Sequence, residues 1–124
     1  MHYLCRRQEN KEVVETLIKH GARVNIPNRK GLTPLHMCCS EENLNLDFLS
    51  ILLQNKADPN MKEEECGSTP FHNICSNWES SNLVLSKSIS LFLAHKANPN
   101  VLNTYTRTPF LYAALSFIFF IILF

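Results

Sequence analysis

Glycine is scarce, with three in 124 residues, and that leaves no room for a Gly-rich loop cradling a phosphate. Other catalytic signatures are missing too: the chain has no His-Glu-x-x-His, no Gly-x-Ser-x-Gly and no kinase motif. Charge of one sign is lacking. Twelve Lys and Arg stand against eleven Asp and Glu, a formal net charge of +1, without the basic excess that a nucleic-acid or anionic-membrane surface needs. No Asn-x-Ser/Thr sequon occurs, and five cysteines, an odd number with Cys38 and Cys39 adjacent, make no secreted-type disulfide framework. Met1 to Lys11 is polar and charged, unlike a signal peptide. These absences predict reduced thiols and a cytosolic or nuclear compartment. What is present is an ordinary globular share of apolar residues, 45%, at a length that suits one domain.

An internal repeat is also present. Thr33-Pro34, Thr69-Pro70 and Thr108-Pro109 are 36 and 39 residues apart. A second anchor, Ala22-Arg23-Val24-Asn25, returns as Ala57-Asp58-Pro59-Asn60 and Ala97-Asn98-Pro99-Asn100, with spacings of 35 and 40. From each Asn to the next Thr the gap is 8, 9 and 8, so the longer segment absorbs most of the variation. Periods of 20–50 residues are the mark of solenoids and arrays.

Each period reads the same way. Pro34 suits an early helical position, where its missing N–H costs nothing, and Thr33 suits the cap. A polar break at Ser40 to Asn43 separates this short helix from a more apolar one carrying Leu46, Phe48, Leu49, Ile51, Leu52 and Leu53. The next period predicts a short helix from Pro70 to Ser76 and a longer one from Ser86 to His95. Ahead of the first Thr-Pro, Lys11 to His20 predicts a helix closed by Gly21 in the left-handed conformation.

These residues resemble the ankyrin repeat, a turn-helix-helix unit of about 33 residues with a Thr-Pro-Leu-His-x-Ala signature. Gly31-Leu32-Thr33-Pro34-Leu35-His36-Met37-Cys38-Cys39 carries the resemblance, with Cys where Ala is usual. Gly67 to Cys75 is a second copy, and Thr106 to Ala114 a third with Leu111 in place of His. The resemblance implies an all-α solenoid of helix-turn-helix units joined by short β-hairpin loops. The expected stack covers residues 1–114, as a partial repeat 1–27, repeats 28–63 and 64–102, and a partial repeat 103–114. It is followed by an apolar tail, 115–124.

Departures from the pattern carry expectations of their own. Lys56 and Lys96 replace the family's Gly, where a left-handed backbone costs a side chain roughly 1 kcal/mol. The 36-residue spacing fits two extra residues between helices and one in the hairpin at Met61 to Gly67. The 39-residue spacing fits six around Asn77 to Leu85, predicting a bulging loop from Asn77 to Asn82. Terminal units of a stack need polar outer faces. Yet Met1 starts mid-unit and Phe110 to Phe124 holds one Ser among apolar residues. The expectation is a segment of a longer repeat protein. The alternative is a membrane-tethered ankyrin segment, the cytosolic part of a channel or a tail-anchored adaptor. The run is 15 residues, below the ~17–25 that span a bilayer.

Three constellations invite chemistry. His2-x-x-Cys5, His36-x-x-Cys39 and His72-x-x-Cys75 look like metal ligands, but repeats packed about 8–10 Å apart cannot share a Zn²⁺ with bonds of about 2.0–2.3 Å. The resemblance instead has each His tie its own hairpin to the helix. No metal and no cofactor is expected. Cys66 lies off the repeat pattern and is expected to be exposed and oxidisable. Glu63-Glu64-Glu65 reads as a solvated loop tip, or as part of a negative stripe.

The function implied is non-catalytic protein–protein recognition, as an adaptor or interaction module, with no nucleic acid and no small-molecule substrate. Ankyrin repeats bind through hairpin tips and the exposed face of the first helix. That carries over to Arg29 and Lys30, to Glu64, Glu65 and Cys66, to Thr104, Tyr105 and Arg107, and to Met37 and Asn73 on the short helices. The surface so defined runs basic, acidic, aromatic-basic, a pattern suited to partner selection. Asn25 and Asn60, each with a Leu eight residues before it, fit the asparaginyl hydroxylation seen in this family.

Overall fold

The computed structural model describes residues 11–42, 44–77 and 80–123. His2 and Cys5, Asn43, Trp78 and Glu79, and Phe124 lie outside them. Helices α1 (Lys11–Lys19), α2 (Pro34–Cys39), α3 (Leu46–Gln54), α4 (Pro70–Ser76), α5 (Asn82–Ala94) and α6 (Pro109–Leu123) follow one another, with no strand among the described residues. The short helices α2 and α4 and the start of α6 form one row, while α1, α3 and α5 form a second; each helix packs on its neighbour in its row. This is the all-α repeat solenoid.

The Thr-Pro step builds the first row. Thr33 and Thr69 are N-caps with extended backbone, and each accepts a hydrogen bond from the N–H of the His three residues on. The imidazole answers: Nδ1 of His36 accepts from the Thr33 N–H at 3.1 Å, and Nδ1 of His72 from the Thr69 N–H at 3.0 Å. At Thr108 only the first half survives, because Leu111 has no acceptor to return.

The second row ends in three equivalent caps. Ala22, Ala57 and Ala97 donate their N–H back to Leu17, Leu52 and Phe92, across Gly21, Lys56 and Lys96 in the left-handed conformation. Lys56 and Lys96, at φ 66° and 63°, take the strain that Gly21 avoids. One amide from each turn then stitches it to the next. Asn25 donates to the Lys56 carbonyl at 2.9 Å and accepts from the Asp58 N–H at 2.8 Å; Asn60 does the same with Lys96 and Asn98.

The core runs continuously between the rows, through Val14, Leu35, Phe48, Leu49, Leu52, Ile74 and Phe92, with Phe71 stacked on Phe92 at 5.3 Å. Cys38, Cys39 and Cys75 are buried, small fillers where neighbouring helices come close. Burial pushes the Cys75 thiol up to about 12.

Helix α5 departs from the sequence expectation. It starts at Asn82, not Ser86, with Ser81 as its N-cap. The four residues from Asn82 to Leu85 therefore add a helical turn, and of the loop expected from Asn77 to Asn82 only Asn82 joins the helix. At the start of the connection Asn77 donates to the Cys39 and Glu41 carbonyls of the preceding unit. Helix α6 continues unbroken past residue 114, where the repeat pattern stops in the sequence, so the apolar tail prolongs the fourth unit's first helix. No helix among the described residues is long and apolar enough to cross a membrane.

Candidate recognition surface

Three hairpins project beside the first row, closed by the backbone bonds Asn28 N–H to Leu32 O, Glu63 N–H to Ser68 O and Asn103 N–H to Arg107 O, with Gly31 N–H to Asn28 O and Thr106 N–H to Asn103 O adding a second bond in the first and third. Neighbouring hairpins are joined. Glu64 donates its N–H to Lys30 O at 3.0 Å and Thr104 donates to Cys66 O at 2.9 Å. Gly31 permits the first junction, because a Cβ there would lie 2.9 Å from the Glu64 nitrogen and the residue has φ +77°.

Each hairpin has a side chain at its foot that collects its N–H groups. Asn28 accepts from Lys30 and Leu32, and Asn103 from Tyr105 and Arg107. The second hairpin is one residue longer, and there Glu63 takes the place of Asn and accepts from Glu65, Cys66 and Ser68 at 2.7–2.9 Å. The extra methylene of Glu spans the wider loop. Glu63 is therefore no part of a surface stripe, being 8% exposed. Burial pushes its carboxyl up, but bonds from the Cys66 thiol and from three backbone N–H groups outweigh this and hold it down to about 2.

Cys66 also departs from expectation. It is half-buried, its thiol donating to Glu63 at 2.8 Å and lying 3.2 Å from the Ser68 hydroxyl. Burial and the Glu63 contact raise its pKa, so it is held as the thiol and is not an activated nucleophile.

The histidines tie more than their own unit. Nε2 of His36 donates to Ser68 O at 3.0 Å and Nε2 of His72 to Arg107 O at 2.9 Å, each in the hairpin of the following unit. Nδ1 accepts and Nε2 donates, so both rings are neutral, and burial pushes both below the ordinary 6.5. No group of three or more metal-ligating side chains exists among the described residues.

The remaining side chains of interest sit on the tips and the first row. Arg29, Lys30, Glu64, Glu65, Thr104, Tyr105 and Arg107 are exposed. Thr104 Oγ1 donates to Cys66 O, and the Arg107 guanidinium lies over the rings of Tyr105 and Tyr112, 5.9 and 5.8 Å from their centroids. Met37 and Asn73 are half-buried in equivalent positions of α2 and α4, and Asn73 reaches the Ser40 hydroxyl at 3.1 Å. A polar notch of about 400 Å³ opens there, lined by Ser40, Glu41, Asn73 and Ser76 among others. Tyr112 was missed in the sequence although the register named it, since it follows Thr108 as Met37 follows Thr33 and Asn73 follows Thr69.

Residues 1–63 match the family described as ankyrin repeats (3 copies). The chain is 37% identical over 94 residues to an ankyrin repeat protein of fowlpox virus (strain NVSL), covering 72% of this chain and 27% of that one. A second fowlpox virus ankyrin repeat protein is 32% identical over 98 residues, 78% of this chain and 15% of that one. The human ankyrin repeat and SOCS box protein 16 is 33% identical over 72 residues, 58% of this chain and 15% of that one. The chain belongs to the ankyrin-repeat family. It spans about a quarter or less of the length of these relatives. Ankyrin repeats are general protein–protein interaction modules and generally non-catalytic.

Proposed function

We propose that this chain grips a protein partner with its hairpin tips and first-row helices, as an interaction module or adaptor. Arg29 and Lys30 supply a basic contact, Glu64 and Glu65 with Cys66 an acidic one, and Thr104, Tyr105 and Arg107 an aromatic and basic one. Met37 and Asn73 contribute from the helices. The observation that carries this reading is the backbone coupling of consecutive hairpins, Glu64 to Lys30 and Thr104 to Cys66, which holds charged side chains of alternating sign on one scaffold. A rigid array loses little entropy on binding. Charge alternation rejects partners whose sequence of charges is wrong.

Affinity capture with wild type, Lys30→Glu, Glu64→Lys and the outer-row control Lys87→Ala tests it. A captured protein retained by wild type and by Lys87→Ala, and lost by the two tip variants, is the expected result. Equal retention by all four ends the reading.

A further inference from the structure

The third hairpin carries a built feature that the other two lack. Asn103 is 6% exposed and its one amide organises everything around it. Its Oδ1 accepts from the N–H of Tyr105 and of Arg107, both at 3.0 Å, and its Nδ2 donates to the Tyr112 hydroxyl at 3.1 Å. The Tyr112 ring is fixed further by an edge-on contact with His72, 5.7 Å between centroids at 84°. Between Tyr105 and Arg107, Thr106 is held at φ 56°, a left-handed conformation that is an outlier for a β-branched residue and occupies the place of Gly31 and Gly67. Strain of that kind persists only where the surroundings over-determine it.

The consequence is an oriented guanidinium. The guanidinium carbon of Arg107 lies over both the Tyr105 and the Tyr112 ring, and the group, being exposed, has N–H donors to offer a ligand. A planar fork of donors matches a carboxylate, two N–H to two oxygens. The electrostatic setting agrees. After Glu65 the chain has one acidic residue, Glu79, against Lys87, Lys96 and Arg107. Lys62 adds a second positive charge, its Nζ donating to Leu102 O at 2.8 Å beside this hairpin.

We infer that Arg107, held over Tyr105 and Tyr112, is the seat for an Asp or Glu side chain of the protein partner. This rests on the surface reading above and names the chemistry of one contact in it. The adjacent Glu64 and Glu65 require the partner to be neutral or basic one repeat away, so the acidic residue it presents stands alone on that side.

The test is a display selection of random 15-residue peptides on the full chain, followed by binding of each selected peptide and its Glu→Gln or Asp→Asn form to wild type, Arg107→Gln, Arg107→Lys and Lys30→Glu. Circular dichroism confirms that the variants keep the wild-type helix content. The expected result is a set of peptides with one acidic residue whose neutralisation costs about tenfold on wild type and nothing on Arg107→Gln. Arg107→Lys, which keeps the charge and loses the fork, recovers less than half of that factor. Peptides sensitive to Lys30→Glu but indifferent to Arg107 overturn the seat and leave the surface standing. Selection of no peptide sensitive to either residue overturns both.

Discussion

Nε2 of His36 donates to the carbonyl of Ser68, 3.0 Å away and 32 residues later, while Nδ1 of the same ring accepts from Thr33. One neutral imidazole thus closes its own helix cap and locks the next hairpin. His72 repeats the arrangement with Thr69 and Arg107. Removing the ring leaves the buried Thr33 N–H without its acceptor and takes from the Ser68 carbonyl one of its two donors, the Glu63 N–H remaining. His36→Leu is expected to lower stability by about 2–4 kcal/mol in urea unfolding. A loss below 0.5 kcal/mol would refute the double-lock account.

The same rings set a pH dependence. Their folded pKa values lie below the ordinary 6.5. The unfolded chain therefore binds more protons, and the stability is present above pH 6.5 and lost as pH falls below it. The urea midpoint should be lower at pH 5.5 than at pH 7.5, and the difference should shrink in the His36→Leu/His72→Leu double variant.

Glu63 acts at lower pH. Its carboxyl titrates at about 2 when folded and 4.5 ordinarily, so its contribution is complete above pH 4.5 and is lost as pH falls toward 2. Glu63→Gln replaces an acceptor oxygen with an NH₂ group facing backbone donors. We expect a loss on the order of 2 kcal/mol at pH 7, and a smaller change of stability between pH 4.5 and 2 than wild type shows. Unchanged unfolding at pH 7 would contradict it.

Lys56→Gly and Lys96→Gly should each stabilise by about 1 kcal/mol, because the left-handed cap is strained for Lys and free for Gly. The two caps belong to different units, and the double variant should approach the sum in thermal unfolding.

Helix α6 exposes Phe110, Phe117 and Ile122 at 74%, 66% and 75%. A patch of this kind drives self-association. Light scattering should show aggregation in detergent-free buffer and its relief by Phe117→Glu/Ile122→Glu; a monodisperse wild-type monomer would contradict this. Asn25 and Asn60 are proposed hydroxylation positions with unequal access, since Leu17 is 39% exposed and Leu52 fully buried. Peptide mapping after incubation with an ankyrin-directed asparaginyl hydroxylase should find +16 on Asn25 before Asn60.

Periodicity made the repeat legible, because Thr-Pro caps and Asn stitches are local devices that recur at fixed offsets. The short helices and the strained Lys caps followed from the same offsets. Glu63 was not legible as a structural residue. A run of three glutamates normally faces water, but Glu63 stands at the hairpin foot where Asn28 and Asn103 stand in theirs, and there it collects three N–H groups. The start of α5 was missed because Ser81 could equally end a loop or cap a helix, and packing on α3 and α4 selected the cap.

The order of the chain determined which segments become helices and where they turn, since caps and apolar spacing act within a few residues. Tertiary stacking decided which histidine nitrogen meets which carbonyl, that Asn25 and Asn60 each stitch one turn to the next, and that Glu64 and Thr104 join neighbouring hairpins. Those contacts join residues from separate parts of the chain, and they exist only once one unit rests on the next.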